Sequence, residues 1–190
     1  MQMIDNKQEK RIVMSSIALS IPMPTKRYPI RDGSEVLIRP LVYDDKDAVL
    51  ALFNRLSRET RFLRYHFVKT KMPEAELEQY CTPDYCDEYV LVAEKCQCDS
   101  EDIVGLARYD RLPCHNAAEV SFLVDDTEQG KGICTRLIRD LAERARENGI
   151  DTFVAEMLNE NNIMFDIIRK FSPDLVQVID GTSNCTTFPI

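Results

Sequence analysis

The sequence predicts a single α/β domain, and three observations carry that prediction. From Glu35 onward, apolar runs of strand length alternate with segments of helical period. Residues 120–138 run from an apolar strand through Gly130 and Gly132 into an amphipathic helix. A chain of 190 residues, 44% hydrophobic and 29% charged, is long enough to bury one sizeable core and too short for two typical domains.

Taken in order, Glu35–Pro40 is a short strand, and Asp44 is placed to cap a helix whose apolar positions Ala48, Val49, Leu52, Phe53 and Leu56 recur at helical spacing. Residues 57–65 continue as a second helix or a turn. Pro73 suits the first turn of a helix running through Tyr80, because its fixed φ is already helical. Residues 89–94 and 103–110 read as antiparallel strands, with the polar residues 96–102 as their connection. Residues 119–124 form the strand that feeds the glycine pair. The helix beyond it carries one apolar stripe of Ile133, Leu137, Ile138, Leu141, Ala142 and Ala145, and Asn148 with Gly149 closes it. Residues 152–157 are a strand, Asn162–Phe171 a helix, and residues 175–180 and 184–189 a closing hairpin around Gly181.

The glycine pair reads as a phosphate cradle. Gly130 and Gly132 let main-chain N–H groups approach an anion, and the following helix adds its partial positive end. Three designs compete for it. A P-loop needs Gly, four residues, then Gly-Lys-Ser/Thr, and no such string occurs. A dinucleotide fingerprint needs a third glycine where Thr135 stands, and an acidic residue about 20 residues on, for which Glu156 is a poor match. The coenzyme A loop, Arg/Gln-x-x-Gly-x-Gly/Ala, is met by Gln129, Gly132 and Cys134, with cysteine in the place of the last small residue.

That string resembles motif A of the GNAT superfamily of acyl-CoA-dependent N-acyltransferases. Upstream, Tyr28-Pro29, residues 31–40 and residues 56–65 resemble the opening of the acetyltransferase domain of bacterial protein-lysine acetyltransferases, and residues 158–170 resemble motif B of that group. The likeness spans about residues 28 to 175, and several motifs in the right order make it more specific than one loop. It implies a mixed, mostly antiparallel sheet of six or seven strands flanked by about four helices. The strands on either side of the motif A helix would splay apart, with residues 1–27 as an arm able to add a strand and residues 28–190 as the catalytic domain.

The resemblance implies acetyl-CoA as donor and a primary amine, a small molecule or a protein lysine, as acceptor. Phe122, Leu123 and Val124 would line the pantetheine arm. Gln129, Gly130, Lys131, Gly132, Ile133, Cys134 and Thr135 would hold the pyrophosphate, and Asn161 and Met164 would complete the cofactor contacts. Glu119 matches the general base, which an amine of pKa about 10.4 requires near neutral pH. The position that often supplies a tyrosine as general acid is Ile168, and Ser172-Pro173 replaces the usual Gly-Phe. Asp125, Asp126 and Glu128 oppose an anion at the loop, and Lys131 partly offsets them. Cys134 is expected to pack, with a reactive thiol at a helix N-terminus as the lesser alternative. A coenzyme-binding sensor that has lost catalysis is the alternative function.

Composition bounds the rest. Residues 1–27 hold five Lys/Arg against two Asp/Glu, and the remainder 19 against 30, a body that repels nucleic acid. Seven cysteines without paired Cys-x-x-Cys knuckles argue for reduced thiols in a cytoplasmic protein and against a metal site. The apolar residues 12–22 follow a basic stretch but lack a small-residue cleavage site, and no run reaches the roughly 20 residues of a membrane span. His66 and His115 read as structural or exposed, and Arg58, Arg61 and Arg64 either guide an acceptor or anchor the second helix. A monomer or homodimer is expected.

Overall fold

The computed structural model describes residues 25–97, 100–113 and 116–190. Eight strands form one sheet: β1 (Lys26–Pro29), β2 (Glu35–Pro40), β3 (Glu88–Gln97), β4 (Ser100–Arg111), β5 (Ala117–Val124), β6 (Thr152–Leu158), β7 (Val176–Asp180) and β8 (Ser183–Pro189). Their order is β1-β2-β3-β4-β5-β6-β8-β7. Every neighbouring pair is antiparallel except β5 with β6. The strand beyond the seven read from the sequence is β1, which pairs with β2 from Lys26↔Ile38 to Pro29↔Glu35.

Five α-helices flank the sheet among the described residues: α1 (Lys46–Arg55), α2 (Arg58–Tyr65), α3 (Glu74–Tyr80), α4 (Ile133–Glu147) and α5 (Asn162–Phe171). Alternation along the strands divides the core in two. On one face Val36, Ile38, Tyr89, Leu91, Tyr109, Val120, Phe153 and Phe188 pack under α4 and α5. On the other, Val90, Val92, Ile103, Leu106 and Leu123 pack under Val49, Leu52 and Phe53 of α1 and Leu77 of α3. All six positions of the α4 stripe are buried. The helix lies so close to β4 that a Cβ on Gly105 would sit 3.2 Å from both Ile133 Cγ2 and Leu137 Cδ1.

Two local readings change. Asp44 does not cap α1; Asp45 is its N-cap and spends its carboxylate elsewhere, on Val42 N–H (2.8 Å) and on Arg39 (2.7 and 2.8 Å). The polar 96–102 connection is largely strand, since β3 and β4 pair out to Gln97↔Ser100. Backbone pairing there overrides polar composition, because a solvated ladder tolerates polar residues on both faces.

The feature that positions the site is the divergence of β5 from β6. They pair only from Ala117↔Thr152 to Glu119↔Val154. Beyond that, among the described residues, β5 continues to Val124 with β4 alone, and β6 continues to Leu158 with β8 alone. A wedge opens whose apex is Glu119 and whose mouth is the glycine loop.

Candidate active site

The loop is shaped by glycine at positions other residues rarely adopt. Gly130 and Gly132 have φ of +73° and +95°, and no atom lies within 4 Å of where a Cβ would be at either. Gly132 is also the N-cap of α4, which has no side-chain cap and no acidic residue in its first turn. Arg136 N–H returns to Gly132 O (3.2 Å), so the donors of Ile133, Cys134 and Thr135 precede the first intrahelical bond of α4. An open cradle, unspent N–H groups and a helix dipole together suit a pyrophosphate. Gln129, the first residue of the coenzyme loop pattern, ties its Nε2 to Val124 O (3.2 Å) and Thr60 Oγ1 (3.3 Å), joining the loop to the end of β5.

Each of the three acidic residues before the loop has its own hydrogen-bond partners. Burial alone would raise the pKa of Asp125, but Arg55 Nε (2.9 Å) and Thr127 outweigh it and hold the carboxyl below its ordinary value. Asp126 behaves alike, with Thr60 and Ser57 outweighing burial. Glu128 accepts from Lys95 (2.9 Å) and from Lys131 (3.0 Å). Lys131 is therefore committed: it also pairs with Asp32 (3.0 Å), and the two carboxylates raise its pKa, Glu128 first. The expected offset between acids and lysine is met by direct pairing, which leaves main-chain donors as the loop's own means of holding an anion.

Below the loop, α4 and α5 meet. Cys134 Sγ lies 3.9 Å from Met164 Sδ. Burial pushes the Cys134 thiol up to about 12, so it packs as an apolar group and holds no thiolate near neutral pH. Asn161 is the N-cap of α5 and accepts from Met164 N–H (3.2 Å). Ile168 is fully buried in the core. The Ser172-Pro173 exit has a structural account, because Ser172 ends α5 and its hydroxyl donates to Pro189 O of β8 (2.9 Å).

Glu119, Ser121 and Leu123 alternate onto the face that carries α1, α2 and α3, whereas Phe122 packs against the α4 side. Glu119 is exposed at the apex, with no side-chain hydrogen bond or ion pair among the described residues. Across the ladder its neighbour is Asp110, and next along lies Glu88; Arg108 bonds to both (2.7 Å to Asp110, 2.9 Å to Glu88), leaving Glu119 uncompensated. Arg64 of α2 donates to Tyr80 Oη (2.7 Å) and to Ser121 Oγ (2.8 Å). It forms one edge of a small apolar cleft lined by Leu52, Phe53, Tyr65, Met72 and Leu123. Arg61 serves as an anchor, over the Phe53 ring at 4.6 Å and bonded to Asn54 O (3.1 Å). His66 is the left-handed C-cap of α2, φ 61°, a structural position; His115 lies outside the described residues.

Glycine spacing finds the loop and the family resemblance points to the apex glutamate, but neither finds the Arg64–Tyr80–Ser121 connection. Its members come from three separated elements, and no spacing relates them.

Wedge, uncapped α4 and glycine cradle define a class, and the comparisons agree: the chain belongs to the Acetyltransferase (GNAT) family, whose profile matches residues 51–166. It is an acyl-CoA-dependent acetyltransferase. The chain is similar to acetyltransferase PA5475 of Pseudomonas aeruginosa, 31% identical over 136 residues, which cover 72% of this chain and 73% of that protein. It is also 32% identical to acetyltransferase Pat of Mycolicibacterium smegmatis over 84% of this chain, and spans 47% of the length of that relative. The GNAT domain of S. lividans PAT superposes with a TM-score of 0.79 at 25% identity, covering 87% of this chain and 97% of that one. No helix among the described residues is long and apolar enough to cross a membrane.

Proposed function

We propose that residues 28–190 transfer an acetyl group from acetyl-CoA to a primary amine, with a protein lysine as the leading acceptor, by direct attack in a ternary complex in the cytoplasm. The observation that carries this reading is the wedge itself: one unpaired β5 edge, residues 120–124, connects the cradle at its mouth to Glu119 at its apex. The cradle fits the cofactor's pyrophosphate, since Gly130 and Gly132 leave it open and the first turn of α4 has donors to spend. Phe122, Leu123 and Val124 offer main-chain groups to the pantetheine arm, and Gln129 to Thr135 the donors for phosphate. Met164 and Cys134 supply a soft apolar floor, and Asn161 keeps its amide N–H group for the cofactor while its oxygen caps α5.

When bound, acetyl-CoA supplies a thioester carbonyl. Glu119 takes a proton from the acceptor ammonium, directly or through a water, so that a neutral amine is present at the wedge. Its exposure lets it reach an acceptor approaching from the α1–α3 face, and its uncompensated charge draws a cation. The fixed geometry of β5 then holds the two reactants together. Ile168 donates no proton, so the sulfur either leaves as the thiolate or takes a proton from another group or a water.

The test is a thiol-release assay with acetyl-CoA across lysine peptides, polyamines, amino acids and aminoglycosides. Release with lysine peptides alone supports the leading acceptor, and release with another class reassigns it. Silence across all four, with coenzyme A still bound, favours a sensor without catalysis.

A further inference from the structure

We infer that Arg31, on the turn between β1 and β2, is a further cofactor-binding residue that supplies a positive charge to a phosphate of the coenzyme A nucleotide half. The inference rests on the coenzyme A reading of the glycine loop. Of the cations around that loop, Lys131 is held by Glu128 and Asp32, Lys95 by Glu128, Arg55 by Asp125 and Ile103 O, and Arg136 of α4 lies over the Tyr28 ring. Arg31 reaches the same loop from 99 positions earlier in the chain. Its side chain donates from Nη1 to Gly130 O at 2.9 Å, and its backbone N–H donates to Lys131 O at 3.1 Å.

Two features make this a delivered charge and not a wandering one. The turn is rigid: Asp32 accepts from Ser34 N–H (3.0 Å) and Oγ (2.6 Å), and Gly33 has φ +86°. The strand behind it is fixed to α4, because Tyr28 Oη donates to Asp140 (2.6 Å) and Lys26 pairs with Asp140 and Glu143. The Gly130 bond also occupies one of the five guanidinium N–H donors, leaving the rest for a ligand. Arg31 is exposed and meets no carboxylate among the described residues, and Asp32 beside it turns to Ser34, Lys95 and Lys131. A guanidinium in this state matches a phosphate in charge and in planar donor geometry.

Coenzyme A offers two such groups, the pyrophosphate and the 3′-phosphate, and one experiment separates them. Coenzyme A and 3′-dephospho-coenzyme A are titrated by calorimetry, at low and high salt, into the wild-type chain, Arg31→Gln and Arg31→Met. Glutamine keeps an amide N–H donor on a shorter side chain and removes the charge, so the salt dependence is the readout specific to charge. The expected result is that Arg31→Gln weakens coenzyme A binding about tenfold or more and flattens its salt dependence. Equal weakening of both ligands assigns the pyrophosphate, and weakening confined to coenzyme A assigns the 3′-phosphate. Wild-type affinity and salt dependence in Arg31→Gln, with only Arg31→Met impaired, overturns the inference in favour of a loop brace. If the wild-type chain binds neither ligand, the coenzyme A reading itself fails.

Discussion

The two ends of the wedge are built by opposite means. At its mouth the work falls to main chain: two left-handed glycines, an uncapped helix and a loop whose neighbouring acids are all engaged elsewhere. At its apex it falls to side chains brought from α2, α3, β3, β4 and β5, with Arg64 joining Tyr80 to Ser121 and Arg108 joining Glu88 to Asp110. On the proposed reading the donor's phosphates meet mainly backbone, with Arg31 the added charge, and the acceptor meets side chains, which a single substitution can retune.

Separating the two ends by mutation sharpens that contrast. Glu119→Gln should lower turnover by about 10² to 10⁴ while coenzyme A affinity stays at the wild-type value. Unchanged turnover, measured by thiol release, would remove Glu119 from the role of base. Gly132→Ala meets no clash, yet at φ +95° a side chain is strained, so a relaxed loop should bind coenzyme A about tenfold more weakly by calorimetry. Arg64→Met should leave coenzyme A binding intact and cut kcat/KM for the acceptor several-fold, on the order of one lost hydrogen-bond network. A matching loss of donor affinity would show that the ends are not independent.

The smallest effect belongs to the thiol at the loop. Cys134→Ala should change coenzyme A affinity less than about threefold, the scale of a single lost methyl-sized contact. Burial raises Cys134 and Cys81 from an ordinary value of 9.0 to about 12, which favours the neutral thiol in the folded chain. That contribution to stability is complete below pH 9.0 and is lost as pH rises toward about 12, so the thermal midpoint should fall across that interval. Alkylation of Cys134 near pH 8 at the rate of a free thiol would contradict its raised pKa.

The mouth was legible in the sequence because spacing encodes it. Gln129, Gly132 and the stripe from Ile133 to Ala145 each reflect a local periodicity, and β2, β5 and α5 follow from runs that no tertiary contact overrides. The closure of the loop by Arg31 was not legible. Residues Arg31 to Ser34 announce a turn through Asp32 and Gly33 but carry no mark of the segment they meet a hundred positions later. Asp44 illustrates the same limit on a smaller scale. Either of two adjacent aspartates satisfies a capping pattern, and the choice fell to the one whose carboxylate Arg39 draws away from the helix. The long β3–β4 ladder was underestimated because polarity was taken for a loop where paired backbone needed no apolar side chains.

The pairing of β6 sets a timetable for the whole enzyme. Past Val154 the only strand alongside β6 among the described residues is β8 (Ser183–Pro189), which follows α5 and β7 in the chain. A growing chain can complete β1 to β5, the glycine loop and α4 while the second arm of the wedge still lacks its support. Synthesis at about 5–20 residues per second leaves that interval open for seconds. During it the nascent chain can carry the glycine loop beside an unsupported β6, so the wedge has both its arms only once the β7–β8 hairpin has followed.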